Sequence, residues 1–439
     1  MSINHLYALF FVVSLLLCGN TQAQTLPDVI PKTPQASGFN VVTPTMITTY
    51  RSPVLPSSFQ GNRQQQQMQM IEADMQEVAR MEQQRKAIAQ DINNSISSIR
   101  YNLPSYHNAA GAVFYRKAFD SLRKTNPDNF SMSRATFLIE NAFYNNTKSY
   151  ADFERIIKNT GAFIQQAMQQ QGLDTSSDLA KNLTIYQYMS DTLTVGNVTH
   201  KPYTYDFNDY MGKENWDNMF VSKLLYEGSG QCNSMPRLYM MLAEEIGAQS
   251  YLAFAPNHSF IRFKDLMGEW HNAELTSGAI MSDFLMLSSG FIKSETVQNG
   301  NYMTGLTKRQ VMAQLLNDLV SGYISKYGRD DFVQQVIDKA LELHPDGINQ
   351  NIHQFNMKRA ELYHVAQQIG ARSVQDLQAY PKAYAIYQSL QQQQRKLQEL
   401  GFEDIPKERY EAWLESLKQE KEKQNTETLK GLQQHIIKD

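Results

Sequence analysis

Apolar residues recur along this chain mainly at helical spacing. In GNRQQQQMQMIEADMQEVARMEQQRKAIAQDI (61–92), Met68, Ile71, Met75 and Val78 alternate at intervals of three and four, and Ile88 and Ile92 extend the stripe past Arg85. That spacing gathers the apolar side chains on one face, so 61–100 is predicted as one long amphipathic helix. Its heptads are not sustained, which favours packing against the next segment over a coiled coil. The same period returns in FSMSRATFLIENAF (130–143), SYADFERIIKNTGAFIQQAMQQQG (149–172) and SSDLAKNLTIYQYMSDTL (176–193). Ser149 and Ser176 stand where N-caps belong and Gly172 where a helix ends, giving a helical layer over 104–195. The period changes after 220. Leu238, Met241, Leu242 and Ile246 share one helix face, closed by Gly247. Then QSYLAFA (249–255), HSFIRF (258–263) and EWHNAEL (269–275) are short and rich in aromatic and β-branched residues, as strands are, with KDLMG (264–268) as a hairpin turn. Residues 306–420 return to helix. The chain is therefore expected to be α+β: a small antiparallel sheet with its helix at 196–305, and helical additions before and after it.

The two ends depart from this pattern. LYALFFVVSLLLCG (6–19) is apolar, too short to span a bilayer comfortably, and is followed by NTQAQ. This reads as a secretory leader, 1–23, cut after Ala23 with Thr21 and Ala23 as the small residues the peptidase needs. The expected location is periplasmic or extracellular. Lipidation at Cys18 is the lesser alternative, because Leu17 stands where a small residue is wanted. Residues 24–60 hold six of the fourteen prolines and read as an extended linker. Residues 395–439 are charged, with Trp413 and Leu417 as an apolar pair, and read as a terminal helix. No segment beyond the leader has the roughly 18 consecutive apolar residues of a membrane span. A net charge of −3 gives no electrostatic case for a nucleic-acid partner.

Loss of the leader takes Cys18 with it and leaves Cys232 as the remaining cysteine. An odd cysteine in an exported chain is a reactive or intermolecular thiol, or else a small buried hydrophobe. Its setting is GSGQCNSMPRLYMMLAEEIG (228–247). Gly228 and Gly230 allow a sharp turn, and Cys232 falls in, or one turn ahead of, the first turn of the helix containing Pro236. Free backbone N–H groups there favour a thiolate. Pro236, four residues on, cannot donate to the Cys232 carbonyl. A thiol nucleophile needs a base, and the base needs an orienting acceptor. His258 opens a predicted strand within reach. With a three-residue loop at 265–267, Lys264 pairs with Gly268 and His258 stands directly opposite Glu274. A two- or four-residue turn would send Glu274 to the other face, and Asn272 is the fallback on the Glu274 face. His271, on the opposite face, reads as structural, and Trp270 as core. The oxyanion donors would be the Cys232 N–H with the Gln231 side chain or the Trp216 indole. No metal or cofactor is expected, since no short-spaced set of ligands occurs.

Gly-Gln-Cys at a helix start, the helix LYMMLAEEIGAQSYLAF, His258 on a strand, and Trp270 followed by Glu274 and Thr276 resemble the transglutaminase-like superfamily, within the papain-like proteins. The resemblance covers roughly 200–285. It implies a core in which a cysteine at a helix N-terminus packs on a small antiparallel sheet, with Cys232 as nucleophile, His258 as base and Glu274 where an Asp is usual. Helices before such a core and tetratricopeptide repeats after it are known in a bacterial branch of the family. Within the helical segment 306–394, residues 315–345 resemble one such repeat, with Gly328, Ala340 and Pro345 at its offsets. One copy cannot stack into a solenoid, so the segment reads as a helical appendage. The expected function is hydrolysis of an amide or peptide bond through a Cys–His–Glu triad, with transfer to an amine as its variant. The alternative is a non-catalytic protein- or peptide-binding module on the same fold. A protein or peptide substrate is expected, and the helix 61–100 or the C-terminal helices offer surfaces for a second copy or a partner protein.

Overall fold

The computed structural model describes residues 72, 75–86, 99–289, 292–403, 408–409, 411–412 and 415. The expected leader (1–23), the proline-rich segment (24–60), and Trp413 and Leu417 of the terminal helix lie outside them. Of the long helix expected at 61–100, residues 75–86 are helical.

Serine hydroxyls start three successive helices. Ser131, Ser149 and Ser177 each accept from the backbone N–H three residues on, and open Met132–Phe143, Tyr150–Gln170 and Asp178–Ser190. The third cap is Ser177 and not the expected Ser176. The Asp174 carboxylate engages the Ser176 N–H (3.0 Å) and hydroxyl (2.8 Å) in an Asx turn, so the helix begins one residue later. Gly172, with φ +70°, ends the second helix as expected.

A short hairpin follows, β1 (Leu193–Val195) with β2 (Val198–His200), which the period had not signalled. Next, β3 (Thr204–Tyr205) pairs in parallel with β4 (Ser229–Gly230), which tethers the long 206–219 loop to the residues just before Cys232. The principal sheet is an antiparallel meander: β5 (Tyr251–Ala255), β6 (His258–Lys264), β7 (Trp270–Glu274) and β8 (Ala279–Met281). Three of these strands match the short aromatic and β-branched stretches of the sequence. β8 is three fully buried residues with no alternation, the kind of short run that carries no period.

The helix Ser234–Ile246 lies against this sheet and buries Leu238, Met241, Leu242 and Ile246, the face expected of it. The helices Lys308–Tyr327 and Asp331–Leu343 differ from expectation. They are not an appendage but part of the same core. Tyr323 packs edge-on against Tyr115 of the helix Ala112–Leu122 (5.4 Å between ring centroids), Phe332 does the same with Phe119 (5.9 Å), and the Tyr115 hydroxyl donates to Gly322 O (2.9 Å). Leu315, Leu316, Leu319, Val320 and Tyr323 are all buried, which is more than one stripe, so this helix is enclosed from several sides. The later helices Ile348–Ile369 and Pro381–Glu399 share a small cluster of their own around Val365, Leu377 and Ala383. The protein is α+β with helices before and after the sheet. No described helix is long and apolar enough to cross a membrane.

Candidate active site

The turn that carries Cys232 is built by glycine. Helix Val221–Glu227 ends at Gly228 in the left-handed region (φ +71°), a conformation that costs other residues about 1–2 kcal/mol. At Gly230 a Cβ would lie 2.6 Å from Ser234 Oγ and 2.8 Å from Leu224 Cδ1, so any side chain there would have to displace one or both. The chain then enters the helix Ser234–Ile246, with Cys232 two residues ahead of its first helical residue and Pro236 within its first turn. Pro is tolerated there because first-turn N–H groups lack intrahelical partners. Cys232 is half-buried, and its amide makes no backbone hydrogen bond within the described residues. Its carbonyl accepts from the Ser259 hydroxyl.

His258 is the first residue of β6, and Glu274 the last of β7. The hairpin loop has three residues, as expected, but it is 266–268 and not 265–267. Lys264 pairs with Trp270, two residues beyond the expected Gly268, and Asp265 N donates to Glu269 O (3.0 Å). Two local features set this position. The Asp265 carboxylate accepts from the N–H groups of Met267 and Glu269 (2.9 Å each), and Gly268 takes the left-handed position (φ +85°) that a three-residue hairpin loop requires. A slip of two residues leaves every side chain on its face, whereas a slip of one would have reversed them all. His258 and Glu274 are therefore diagonal neighbours, not directly opposed. The extra methylene of Glu over Asp suits that longer diagonal.

The pair closes with His258 Nε2 2.5 Å from Glu274 Oε2, both side chains fully buried. The second carboxylate oxygen, Oε1, accepts from Thr276 N (2.8 Å), so the carboxylate is held at both ends. With Nε2 facing Glu274, Nδ1 is the ring nitrogen left for the Cys232 side chain, with which the imidazole interacts electrostatically. Burial disfavours charge on this ring. The Glu274 carboxylate and its hydrogen bond, with a contribution from the neighbouring Cys232, outweigh it and hold the imidazole pKa up at about 10. Cys232, His258 and Glu274 are thus gathered at one place, with the carboxylate held at both ends.

The remaining expected residues are not part of this group. The Gln231 amide gives its hydrogens to the carbonyls of Asp206 (3.1 Å) and Asp209 (3.2 Å), which leaves no donor for an oxyanion. Gln231 instead fastens the 206–219 loop to the Cys232 turn. Trp216 opens a 3-10 turn (Trp216–Met219), and its buried indole N–H meets no hydrogen-bond partner among the described residues. It lines a small cavity with Asn233, Glu140, Arg237 and Asp318. Asn272, the fallback acid partner, stands across from Arg262 and donates to Met281 O (3.1 Å) and Asp283 Oδ1 (2.8 Å), away from His258. His271 is structural, as expected: its Nε2 lies 3.0 Å from Asp265 Oδ2 in the hairpin turn. Trp270 is only half-buried, between Tyr251 and the cations of Arg262 and Lys264.

Two contributors were not foreseen. Asp209 accepts from the N–H groups of Lys213 (2.7 Å), Glu214 (3.2 Å) and Asn215 (2.9 Å) and from Asn218 Nδ2 (2.9 Å), so one carboxylate organises the loop beside Cys232. Burial opposes its charge, but these bonds keep its carboxyl below the usual range. An Asp ahead of Gly-Lys-Glu-Asn was the available signal. Ser259 was hidden by its place as an ordinary strand residue. Comparison with family models, with curated proteins and with solved structures finds no match.

Proposed function

We propose that this chain is an exported cysteine hydrolase with a transglutaminase-like, papain-like core, acting on an amide or peptide bond. One observation carries the reading: the buried Glu274–His258 pair ends on the only thiol among the described residues. A buried histidine–carboxylate pair alone would be a structural element. Joined to a half-exposed sulfur at a helix start, it is the arrangement nucleophilic catalysis requires. The antiparallel meander with the helix Ser234–Ile246 against it also suits such a core.

In this reading the Cys232 thiol proton passes to His258, and the sulfur attacks the acyl carbon. Glu274 holds the imidazolium in place. The tetrahedral oxyanion faces the Cys232 N–H, which makes no backbone hydrogen bond among the described residues. Collapse breaks the C–N bond while His258 returns its proton to the leaving amine, and a thioester remains on Cys232. Water, deprotonated by the same imidazole, then releases the acid and restores the thiol.

The test is the pH dependence of Cys232 alkylation by iodoacetamide. An activated thiol reacts well below pH 7, whereas an unperturbed one follows a midpoint near 8.5. An ordinary midpoint would overturn the reading. Substrate class is then sought by assaying the purified protein on peptides and cell-wall fragments, with Cys232→Ala as control.

A further inference from the structure

The start of the nucleophile's helix lacks a hydrogen bond that the backbone would normally supply. Met235 N donates to Gln231 O (3.0 Å), which is the first rung of the helix Ser234–Ile246. The next rung would run from residue 236 to the carbonyl of Cys232. Residue 236 is proline and has no N–H, so that carbonyl faces burial without its normal donor. The donor it has is the Ser259 hydroxyl. Ser259 is itself 7 % exposed and is fixed in β6 by pairing with Phe254 of β5.

The identity of the donor matters more than the repair. Ser259 is the covalent neighbour of His258. Successive strand residues point to opposite faces, so the Cys232 turn, which meets both the His258 ring and the Ser259 hydroxyl, sits across the end of β6. One hydrogen bond therefore joins the nucleophile's own backbone to the base's own strand. An ordinary backbone rung from residue 236 would tie Cys232 only to its own helix.

We infer that Ser259 is a positioning residue: its hydroxyl replaces the amide missing at Pro236 and sets the spacing between Cys232 sulfur and His258 imidazole. The inference rests on the reading of these two residues as nucleophile and base. Such a link matters because small displacements of reacting groups cost far more in rate than in stability.

The experiment is the pH–rate profile of Cys232 alkylation, with thermal melting alongside, in wild type, Ser259→Ala, Pro236→Ala and the double variant. In Ser259→Ala the rate at pH 6 falls about tenfold and the midpoint moves toward that of a free thiol. Pro236→Ala alone leaves the profile close to wild type. The double variant recovers most of the loss, because alanine at 236 restores an N–H aimed at the Cys232 carbonyl. A purely structural hydroxyl would change the melting temperature and not the profile. An activated wild type whose profile Ser259→Ala reproduces would overturn the inference while leaving the triad standing, as would a double variant no faster than Ser259→Ala. An ordinary midpoint in wild type would remove the acyl-transfer reading, and the positioning role with it.

Discussion

The hairpin β6–β7 carries two histidine–carboxylate pairs, one on each face. On one face His258 Nε2 meets Glu274 Oε2 at 2.5 Å with both side chains fully buried. On the other, His271 Nε2 meets Asp265 Oδ2 at 3.0 Å with the two side chains 16 % and 15 % exposed. The chemistry is the same, and so are the two strands. The first pair joins residues on adjacent strands and ends at a thiol. The second joins a strand to its own turn, where Asp265 also accepts from Met267 and Glu269, and His271 lies over the Phe263 ring. A histidine beside an acid therefore says little by itself. What the ring's other nitrogen faces separates a base from a turn staple.

The largest expected contrast is between the two histidines. His258→Ala should lower Cys232 alkylation at pH 6 by on the order of 100-fold, to the rate of an unperturbed thiol, while His271→Ala stays within about twofold of wild type. Equal losses from both would erase the distinction. The carboxylates should follow with a smaller effect. Glu274→Gln keeps shape but removes the charge that holds up the imidazole pKa, so the rate at pH 6 should fall about tenfold; Asp265→Asn should leave it unchanged.

Stability against pH separates the pairs at opposite ends of the scale, read as urea midpoints. His258 has a pKa raised above its usual value, so its contribution is fully present below about pH 6.5 and is lost as pH rises toward about 10. His258→Gln should flatten that alkaline decline. Asp265 is the reverse case. Burial works against its charge, but the hydrogen bond from His271 and two backbone N–H groups lower its carboxyl overall. Its contribution is present above the ordinary aspartate value near 3.8 and is lost as pH falls through its depressed value, so Asp265→Asn should flatten the acid limb. Exchanged limbs would show that the two roles had been misassigned. The smallest effect belongs to the turn. Gly268 has φ +85° and open space around it, so Gly268→Ala should cost about 1 kcal/mol of backbone strain and leave the alkylation profile unmoved.

Much of this contrast was legible in the linear pattern. The order of cysteine, helix, strand, histidine, strand and acid follows from period and turn residues alone. The faces of His258, His271 and Glu274 follow from alternation. That reading tolerated an error: the loop lies one residue later than expected, yet a slip of two in pairing returns each side chain to the same face. Ser177, displacing Ser176 as a cap, shows the same limit, since two adjacent serines are equivalent until Asp174 engages one of them. Gln231 looked like a donor to the site because it adjoins Cys232. Its hydrogens go to carbonyls at 206 and 209, a partnership set more than twenty residues away. The helices 308–343 looked peripheral because their boundary resembled a repeat. Their burial against Tyr115 and Phe119 involves residues some two hundred positions earlier.

Local periodicity and residue type determined the main helices, three strands of the principal sheet, and which side chains share a face, because the spacing of apolar residues is a property of neighbouring positions; the short strands β1, β2 and β8 carried no such signal. Only the tertiary structure decided that the Cys232 turn lies across the end of β6, that Glu274 reaches His258 along a diagonal, and that the Ser259 hydroxyl meets the carbonyl left bare by Pro236. Those meetings depend on distances between segments far apart along the chain, set by how buried surfaces fit together, and a linear pattern carries no measure of such distances.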